Sequence, residues 1–304
     1  MKIADLMPSR SRFVSLEFFP PKEHNAWQGF ESQIERMAEL APLFVSVTYG
    51  AGGGTRATTL ATASCLQERF GLFPMVHLTC AGATHESIVS FMEELQDIGI
   101  TNILALRGDL PPGVLPTANS GFSHASDLVA FIRLRYPETG IAVACYPEAH
   151  PEAASIADDL EWTKHKLDVG ADFAITQLFF DVRCYNDFVA RLRRRGVVKP
   201  IIPGVLPLLS MQSLHRILSL CGASIPVKLY LELVQADKDG GNEAVRRKGI
   251  EIAQRQIRDL IEQGASGIHL YTLNNADACI DILSGVDYFD TQKKISSPSH
   301  EVVT

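Results

Sequence analysis

The 304-residue sequence lacks the features that mark disulfide-rich, metal-binding and membrane-spanning proteins. Its six cysteines are widely scattered and form no C-x-x-C pair or spacing typical of metal ligands. The N-terminal residues lack the apolar stretch of a secretion signal, and the longest apolar run, 201–209, is broken by prolines and a glycine. We therefore expect reduced thiols, a cytoplasmic location, and no membrane contact.

The sequence also lacks an excess of basic residues. Its 28 Lys and Arg stand against 35 Asp and Glu, which gives a formal net charge of −7. A general nucleic-acid surface needs clustered cations, so we expect no nucleic-acid partner. The dense basic cluster at Arg191 and 193–195 is interpreted as a helix C-terminus that faces water.

Strand-like apolar runs alternate with helix-like segments along the chain. Several helical segments end at a glycine that introduces the next strand, as at Gly99, Gly170 and Gly264. The region 224–263 is long enough for two helices. The predicted strands are 13–19, 44–49, 75–80, 102–107, 141–146, 173–180, 200–206 and 267–272.

Eight such units predict either a closed (β/α)8 barrel or a doubly wound sheet. Polar residues at the strand ends share one parity, with Ser15 and Glu17 set against their apolar neighbours. In the fourth strand we expect Leu104 and Leu106 to face away from the polar residues that follow. Because every strand contributes polar groups, we predict an α/β fold with a single TIM barrel over 1–289, with extra helices before the eighth strand. We expect 290–304 to be a mobile C-terminal tail.

Two acidic residues at strand ends are candidate catalytic groups. Glu17 precedes two prolines, and partial desolvation there would raise its carboxyl pKa and suit a general acid. The structural alternative is a buried acid paired with Arg107. Asp109 follows Arg107-Gly108. It could take part in catalysis, or it could cap and stabilise its loop.

Other polar groups admit several interpretations. The position of His77 is compatible with three roles: a general base, a hydrogen-bond donor to a cofactor, or a histidine of the core. A metal site from His77, Glu148 and His150 has no recognisable spacing, so we predict no metal. The glycine-rich loop 50–55 is a weak nucleotide motif but would permit close approach of a flat ligand.

Taken together, the motifs closely resemble the family of bacterial 5,10-methylenetetrahydrofolate reductase. The resemblance spans roughly 13–289, and the motifs follow the family order. They are Leu-Glu-Phe-Phe-Pro-Pro from Leu16, Ser-Val-Thr-Tyr-Gly from Ser46, His-Leu-Thr-Cys from His77, Ala-Leu-Arg-Gly-Asp-Leu-Pro-Pro from Ala105, Tyr-Pro-Glu-Ala-His-Pro-Glu from Tyr146, Ala-Ile-Thr-Gln from Ala174, Ile-Ile-Pro-Gly-Val-Leu-Pro from Ile201 and Tyr-Thr-Leu-Asn from Tyr271.

This resemblance implies a barrel that binds FAD non-covalently and reduces 5,10-methylenetetrahydrofolate to 5-methyltetrahydrofolate. The hydride donor would be NADH or NADPH, used in a ping-pong mechanism at one site. The resemblance also implies a homo-oligomer in one-carbon metabolism. The direction of the reaction, towards methionine biosynthesis or its reverse, is left open.

The resemblance also implies roles for individual residues. Glu17 would be the acid that assists opening of the folate ring, and Asp109 would tune the flavin. Gln177 would contact both pterin and nicotinamide. The implied substrate-binding residues are Gln177, Ser213, Tyr271 and Asn275. The implied FAD-binding residues are Thr48, Tyr49, Ala51, His77, Arg107, Gly108, Asp109, His124, Ala125, Tyr146, His150, Ala153, Asp159, Trp162, His165 and Lys166.

The chain departs from the family pattern at a few positions. Trp162 and His165 stand where Asn and Arg are known, Asn275 where an Arg is usual, and Ser213 where Gln is known. An aromatic on the following helix is replaced by Ile217. Two alternatives therefore stay open: a flavin- or folate-binding barrel protein with lost or altered electron-donor activity, and another barrel flavoenzyme such as a proline-dehydrogenase-like oxidoreductase.

Overall fold

Strands and helices alternate throughout the computed structural model, which describes residues 1–49, 55–109 and 121–287. The strands are β1 (Phe13–Phe18), β2 (Phe44–Val47), β3 (Pro74–Thr79), β4 (Asn102–Leu106), β5 (Gly140–Cys145), β6 (Phe173–Thr176), β7 (Ile201–Ile202), β8 (Gly204–Val205) and β9 (Gly267–Tyr271). The helices are α1 (Ile3–Leu6), α2 (Trp27–Ala38), α3 (Arg56–Glu68), α4 (His85–Asp97), α5 (Ala125–Arg135), α6 (Ile156–Asp168), α7 (Val182–Arg194), α8 (Met211–Cys221), α9 (Val227–Glu262) and α10 (Ala276–Ser284). Two short 3-10 turns, Met7–Ser9 and His24–Ala26, precede β1 and α2.

All the strand pairs are parallel, in the order β7-β6-β5-β4-β3-β2-β1-β9-β8. Only Pro203 separates β7 from β8, so both ends of the sheet belong to one short stretch of chain and the sheet forms a nearly closed barrel. The predicted barrel is confirmed. The seventh predicted strand, 200–206, is divided into two segments.

The division of this strand has a local cause. Pro203 has no amide hydrogen to donate, but its carbonyl accepts a hydrogen bond of 2.9 Å from the His269 amide. The next amide, that of Gly204, donates to Thr176 Oγ1 at 2.9 Å. A Cβ atom on Gly204 would lie 2.5 Å from the Thr176 carbonyl oxygen, so only glycine fits this approach.

Side chains alternate between the two faces of the barrel wall. Val14, Leu16 and Phe18 face outward and join the main core between the barrel and its helices, as the parity of β1 predicts. The expectation for β4 was wrong. Leu104 and Leu106 face the barrel interior, because register places Leu104 beside His77 and Leu106 beside Thr79.

The lower interior of the barrel, at the N-terminal ends of the strands, is apolar and filled. Phe44 lies between Phe13 and Phe173, with ring centroids 6.3 and 5.9 Å away. Burying each of these rings contributes roughly 1.5–3 kcal/mol. Helix α1 closes this end, and its Ile3 amide donates to Asn102 Oδ1 at 2.9 Å. The open end of the barrel is therefore the C-terminal one.

The turns and the long insertion follow the sequence. Gly99, Gly170 and Gly264 all have positive φ angles where helices end, as predicted. Helix α9 contains non-helical φ and ψ angles at Gly240 and Gly241, so its 36 residues form two helical parts, as predicted for 224–263. Both parts contribute to a third apolar cluster with α8.

The remaining composition-based predictions concern surface and thiol groups. The basic cluster lies in the last turn of α7, where Arg193 donates to the carbonyls of Val197 and Lys199. All six cysteines are free. Across the described ranges no helix combines the length and apolarity needed to cross a bilayer. The boundary between the barrel and the tail 290–304 lies outside the described residues and stays a prediction.

Candidate active site

A cavity of about 870 Å³ opens at the C-terminal ends of the barrel strands. This is the edge at which barrel enzymes place their catalytic groups. Of the predicted site residues, the cavity wall contains Glu17, Thr48, Tyr49, His77, Arg107, Gly108, Asp109, His124, Ala125, Tyr146, His150, Ala153, Asp159, Trp162, Lys166, Gln177 and Tyr271.

Glu17 lies buried at the end of β1, between two imidazoles. Its Oε2 is 3.5 Å from His77 Nε2 on β3 and 3.6 Å from His269 Nε2 on β9. The Glu17 side chain is 8 % exposed. The barrel curvature thus brings groups from three strands around one carboxylate.

The structural alternative for Glu17 and the expected shift of its pKa were both wrong. Arg107 does not contact it, because the guanidinium of Arg107 donates instead to Glu152 at 2.6 and 3.1 Å. Burial raises the Glu17 pKa, but the side-chain contacts with His269 and Ser46 and the electrostatic interactions with His77 and His269 together outweigh burial, so the net pKa is below the usual value. The predicted upward shift is absent.

Burial controls the protonation of His77. Burial lowers the pKa of His77 to about 4, against the opposing charge of Glu17. His77 is therefore neutral near neutral pH. His77 Nε2 has no hydrogen-bond partner within the described structure.

His269 was not predicted as a site residue. It is fully buried, with Nδ1 2.9 Å from Ser15 Oγ and Nε2 3.4 Å from Ser46 Oγ. Its parity with Glu17 was visible in the sequence, since polar residues of both strands point inward. The contact itself depends on the pairing of β1 with β9.

The middle of the cavity is bordered by residues after β4 and β6. Arg107 and Asp109 follow the end of β4, where Gly108 has a φ of +78°. Asp109 is exposed at the rim. The Gln177 side chain accepts a 2.9 Å hydrogen bond from the Leu178 amide through Oε1, which directs its orientation.

The far end of the cavity combines charge with aromatic rings. Lys166 Nζ donates to the Ala144 carbonyl at 2.6 Å, and burial lowers its pKa. Burial raises the pKa of Asp159. Trp162 is 43 % exposed and stacks on His124 at 4.5 Å between ring centroids and 21° between planes.

Three predicted site residues do not line the cavity. His165 packs against the edge of Trp162 with centroids 6.0 Å apart. Ser213 closes the first turn of α8 through Ser210. Asn275 caps α10, where its Oδ1 accepts a 2.9 Å hydrogen bond from the Ala278 amide. Ala51 and most of the loop 50–55 lie outside the described residues.

Two of the three residues considered for a metal, His150 and Glu148, make other contacts. His150 Nδ1 accepts a 3.0 Å hydrogen bond from the Glu152 amide, and Glu148 accepts from the amide of Ser224 at 3.3 Å. In the part of the chain that the structure describes, no group of three or more His, Cys, Asp or Glu could hold a metal ion.

Comparison with known proteins agrees with the geometry. The chain matches the family model for methylenetetrahydrofolate reductase over residues 2–287. The chain belongs to this family. It is 39 % identical to 5,10-methylenetetrahydrofolate reductase of Salmonella typhimurium over 87 % of each protein. The resemblance proposed from the motifs is thereby confirmed.

Eukaryotic members of the family are longer. The chain is 36 % identical to methylenetetrahydrofolate reductase (NADH) 1 of Arabidopsis thaliana over 96 % of its own length, but spans only about half, 52 %, of that protein. A probable NADPH enzyme of Caenorhabditis elegans is 35 % identical, with 44 % of it covered. Both cofactor names therefore occur among the family members.

A solved structure shares the fold. A Clostridium thermocellum protein, described as binding two copies of 5-methyl-5,6,7,8-tetrahydrofolic acid, superposes with a TM-score of 0.65 at 15 % identity, over 94 % of this chain and 98 % of that one. At this identity the likeness shows the barrel fold alone.

Proposed function

We propose that the protein is a flavin-dependent reductase of 5,10-methylenetetrahydrofolate that takes hydride from NADH or NADPH. The observation that carries this proposal is the buried Glu17 carboxyl beside a cavity whose wall includes three buried polar atoms without a hydrogen-bond partner in the described structure. A protonatable carboxyl beside a ligand-sized space suits a reaction in which a proton is delivered to a bound substrate. Family membership and the names of the bacterial relatives support the same activity.

The cavity wall fits FAD. Three buried polar atoms that border it lack a hydrogen-bond partner in the described structure: Thr48 Oγ1, His77 Nε2 and Asp159 Oδ2. An unsatisfied buried polar atom costs free energy unless a ligand or water pairs with it. A flavin ring bordered by oxygen and nitrogen atoms offers such partners. The cavity volume also lies within the range of about 300–1,000 Å³ typical of cofactor sites.

The charged end of the cavity would hold the diphosphate and adenosine of FAD. Lys166 would supply positive charge there, as anionic groups require, and Arg107, paired with Glu152, borders the same cavity. The exposed face of Trp162 at the cavity wall offers a platform for a flat adenine ring. When bound, FAD would supply a carrier that accepts a hydride from the nicotinamide and passes it to the folate.

One cavity is expected to receive both substrates in turn. Because nicotinamide and folate would occupy the same site one after the other, we propose a ping-pong order. Gln177 lies in the cavity wall with its amide oriented by the Leu178 backbone, so it could orient each flat ring in turn. Asp109, at the rim, would favour a cationic folate intermediate through its negative charge.

Glu17 is proposed to hold a proton at its carboxyl and deliver it to a folate nitrogen as the five-membered ring opens. In the free protein the Glu17 pKa is lowered. A ligand that fills the cavity displaces water, and desolvation is the effect that raises a carboxyl pKa. The proposal therefore requires protonation of Glu17 with folate bound.

The alternative of a binding protein without turnover loses part of its support. It depends on the departures at Trp162, His165 and Asn275, but the last two do not line the cavity. Of these three residues, only Trp162 lines the cavity proposed to bind FAD. The proposed homo-oligomer and cytoplasmic location stay predictions from the sequence.

Anaerobic mixing tests the proposed function. The purified protein, loaded with FAD, is mixed with NADH or NADPH and then with 5,10-methylenetetrahydrofolate while the visible flavin band is followed. We expect bleaching by at least one nucleotide and recovery on adding the folate. A bound flavin that neither nucleotide bleaches, or that the folate fails to reoxidise, would contradict the proposal. Proline as a reductant tests the alternative of an amino-acid-oxidising flavoenzyme.

A further inference from the structure

Two elements that border different parts of the cavity meet at its edge. The loop between β5 and α6 supplies Tyr146 and His150, part of the wall predicted to bind FAD. Helix α8 supplies Ile217 and Cys221, which pack against the third apolar cluster, as does Tyr271, a residue predicted to bind substrate. A contact between the loop and α8 therefore relates the two proposed ligand positions.

Glu148 makes that contact. Its side chain is half-buried in the β5–α6 loop, and both carboxylate oxygens lie 3.3 Å from the amide nitrogen of Ser224, in the turn between α8 and α9. The Ser224 hydroxyl donates to Oε1 of the same carboxylate. Hydrogen bonds to a charged acceptor are stronger than neutral ones, and here one carboxylate accepts from both donors of a single residue. The carboxylate thus ties the turn after α8 to the loop after β5.

The backbone is left-handed on both sides of this contact. Ala149 has a φ of +74°, which is uncommon for a residue with a side chain and costs free energy. It separates Glu148, which faces the turn, from His150, which lines the cavity. On the other side Gly222 ends α8 with a φ of +63°, and a Cβ atom there would lie 3.0 Å from Pro151 Cγ. The loop and the turn are therefore closely packed.

Further contacts of α8 attach it to α9. His215 faces Tyr230 with ring centroids 6.5 Å apart. The second part of α9, beyond the break at 240–241, is anchored to the barrel, where Gln256 donates to the Phe179 carbonyl at 2.7 Å. The first part and α8 pack mainly through apolar side chains, and apolar packing is non-directional. A hydrogen-bonded contact at the end of α8 is what fixes its position relative to the β5–α6 loop.

We propose that Glu148 is a positioning residue for the substrate side of the cavity. By holding Ser224 it fixes α8 against the loop that carries His150, and it thereby sets the separation between the folate side and the flavin side. Glu148 is not among the residues that line the cavity, so it acts through α8 and does not touch a ligand. The identity of the two ligands rests on the proposed function above, whereas the contact itself does not.

Hydrogen–deuterium exchange of the ligand-free protein tests the contact. Glu148→Gln keeps the side-chain shape but removes the charge and one of the two acceptor oxygens, and Ser224→Ala removes the hydroxyl donor. We expect exchange across 217–226 to become roughly 3–10-fold faster in Glu148→Gln, with a smaller change in Ser224→Ala. Glu161→Gln is the matched control, because Glu161 accepts from Arg195 Nε at 2.8 Å outside the cavity. It should leave this exchange unchanged.

Kinetics of the folate half-reaction separate positioning from a general structural role. The rate of flavin reoxidation is measured against the concentration of 5,10-methylenetetrahydrofolate, and FAD affinity is measured separately by flavin fluorescence. In Glu148→Gln we expect the folate concentration at half-maximal rate to rise about 3–10-fold, with the maximal rate and the Kd for FAD within about twofold of wild type. A merely structural role would lower the free energy of unfolding and leave the half-maximal concentration unchanged.

Ala149→Gly distinguishes loss of the contact from strain in its loop. Glycine adopts a φ of +74° without strain, but in Glu148→Gln/Ala149→Gly the contact is still weakened, so the fast exchange of 217–226 should persist. A return to wild-type exchange in the double variant would assign the effect to loop strain and overturn the inference.

Unchanged exchange of 217–226 in folded Glu148→Gln would also overturn the inference, and Ser224→Ala decides in the same way if Glu148→Gln fails to fold. A wild-type protein whose reduced flavin is never reoxidised by the folate would overturn the proposed function alone. The exchange result would still decide whether Glu148 positions α8.

Discussion

The two halves of the barrel interior differ sharply although the same strands build both. The lower half is apolar, filled by the Phe13, Phe44 and Phe173 rings and closed by α1. The upper half contains Glu17 and His77 beside a cavity of about 870 Å³, where some buried polar atoms have no hydrogen-bond partner among the described residues. One layer therefore stabilises the fold, and the next layer carries the unsatisfied groups that a ligand must meet.

The largest expected effect is chemical and confined to the upper half. Glu17→Gln keeps the shape of the side chain but removes its proton-donating acid. We expect folate reduction to fall by roughly 10²–10⁴-fold, with flavin reduction by the nucleotide largely intact. Stopped-flow measurement of each half-reaction checks this. Equal loss in both half-reactions would show that Glu17 has another role.

The next effect belongs to the lower half. Phe173→Ala removes a ring that is 1 % exposed, and we expect the free energy of unfolding to fall by about 3–5 kcal/mol. Denaturant unfolding measures the change, with Leu134→Ala, at a position 87 % exposed, as the control. FAD affinity should be retained by folded Phe173→Ala. Weakened FAD binding at unchanged stability would break the division between the two halves.

The buried His77 of the upper half should make the folded protein less stable in acid. The His77 pKa is about 4 in the folded protein against 6.5 for an ordinary histidine, so the unfolded chain binds more protons between those values. Stability should therefore rise with pH across this window, by up to about 3 kcal/mol. Because the Glu17 pKa is also lowered in the folded protein, protonation of Glu17 should cause a further loss of stability as the pH falls.

Comparing His77→Gln with wild type isolates this contribution. We expect the variant to lose less stability than wild type as the pH falls from 6.5 to about 4, measured by denaturant unfolding of the ligand-free protein. Parallel pH dependences in the two proteins would mean that His77 is not held neutral by burial.

A smaller effect tests the cofactor end of the cavity. The chain has two tryptophans, Trp162 at the cavity and Trp27, which packs edge-on against Phe30 at 6.0 Å. We expect FAD to quench mainly the Trp162 fluorescence. Trp162→Phe should reduce the quenching and weaken FAD binding by about 1 kcal/mol, whereas Trp27→Phe should do neither. Equal quenching in both variants would place the cofactor elsewhere.

The smallest effect concerns a residue outside the cavity. Asn275→Ala removes the cap of α10 and should lower the free energy of unfolding by about 1 kcal/mol without changing the KM for folate. Thermal unfolding and steady-state kinetics check both parts. A raised KM at unchanged stability would return Asn275 to the substrate site.

The sequence predicted the barrel from local patterns, whereas the residues of the cavity wall were mostly implied by the family resemblance. Alternation within β1 fixes which side chains point inward, and parallel strands align their C-terminal ends. The partner of Glu17 did not follow from local patterns. His269 reaches it only because closure of the barrel pairs β1 with β9, and Arg107 turns instead to Glu152.

The protonation of Glu17 was misjudged for the same reason. Burial of a carboxyl can be inferred from neighbouring apolar residues, but the imidazoles whose interactions oppose the effect of burial on the pKa lie on β3 and β9. For β4 the predicted inward-facing side chains were wrong. Leu104 and Leu106 face the interior, and the polar residues Arg107 and Asp109 come after the end of the strand.

Hydrogen–deuterium exchange with and without FAD tests the division between the halves most directly. We predict slower exchange in the segments that border the cavity, 44–49, 102–109 and 146–166, and unchanged exchange in 1–10, where α1 closes the lower end. Adding 5-methyltetrahydrofolate to the FAD-loaded protein should extend the protection to the segment around Gln177. Protection that is absent from these segments, or equal in both halves, would contradict the assignment of the upper half as the flavin and folate site.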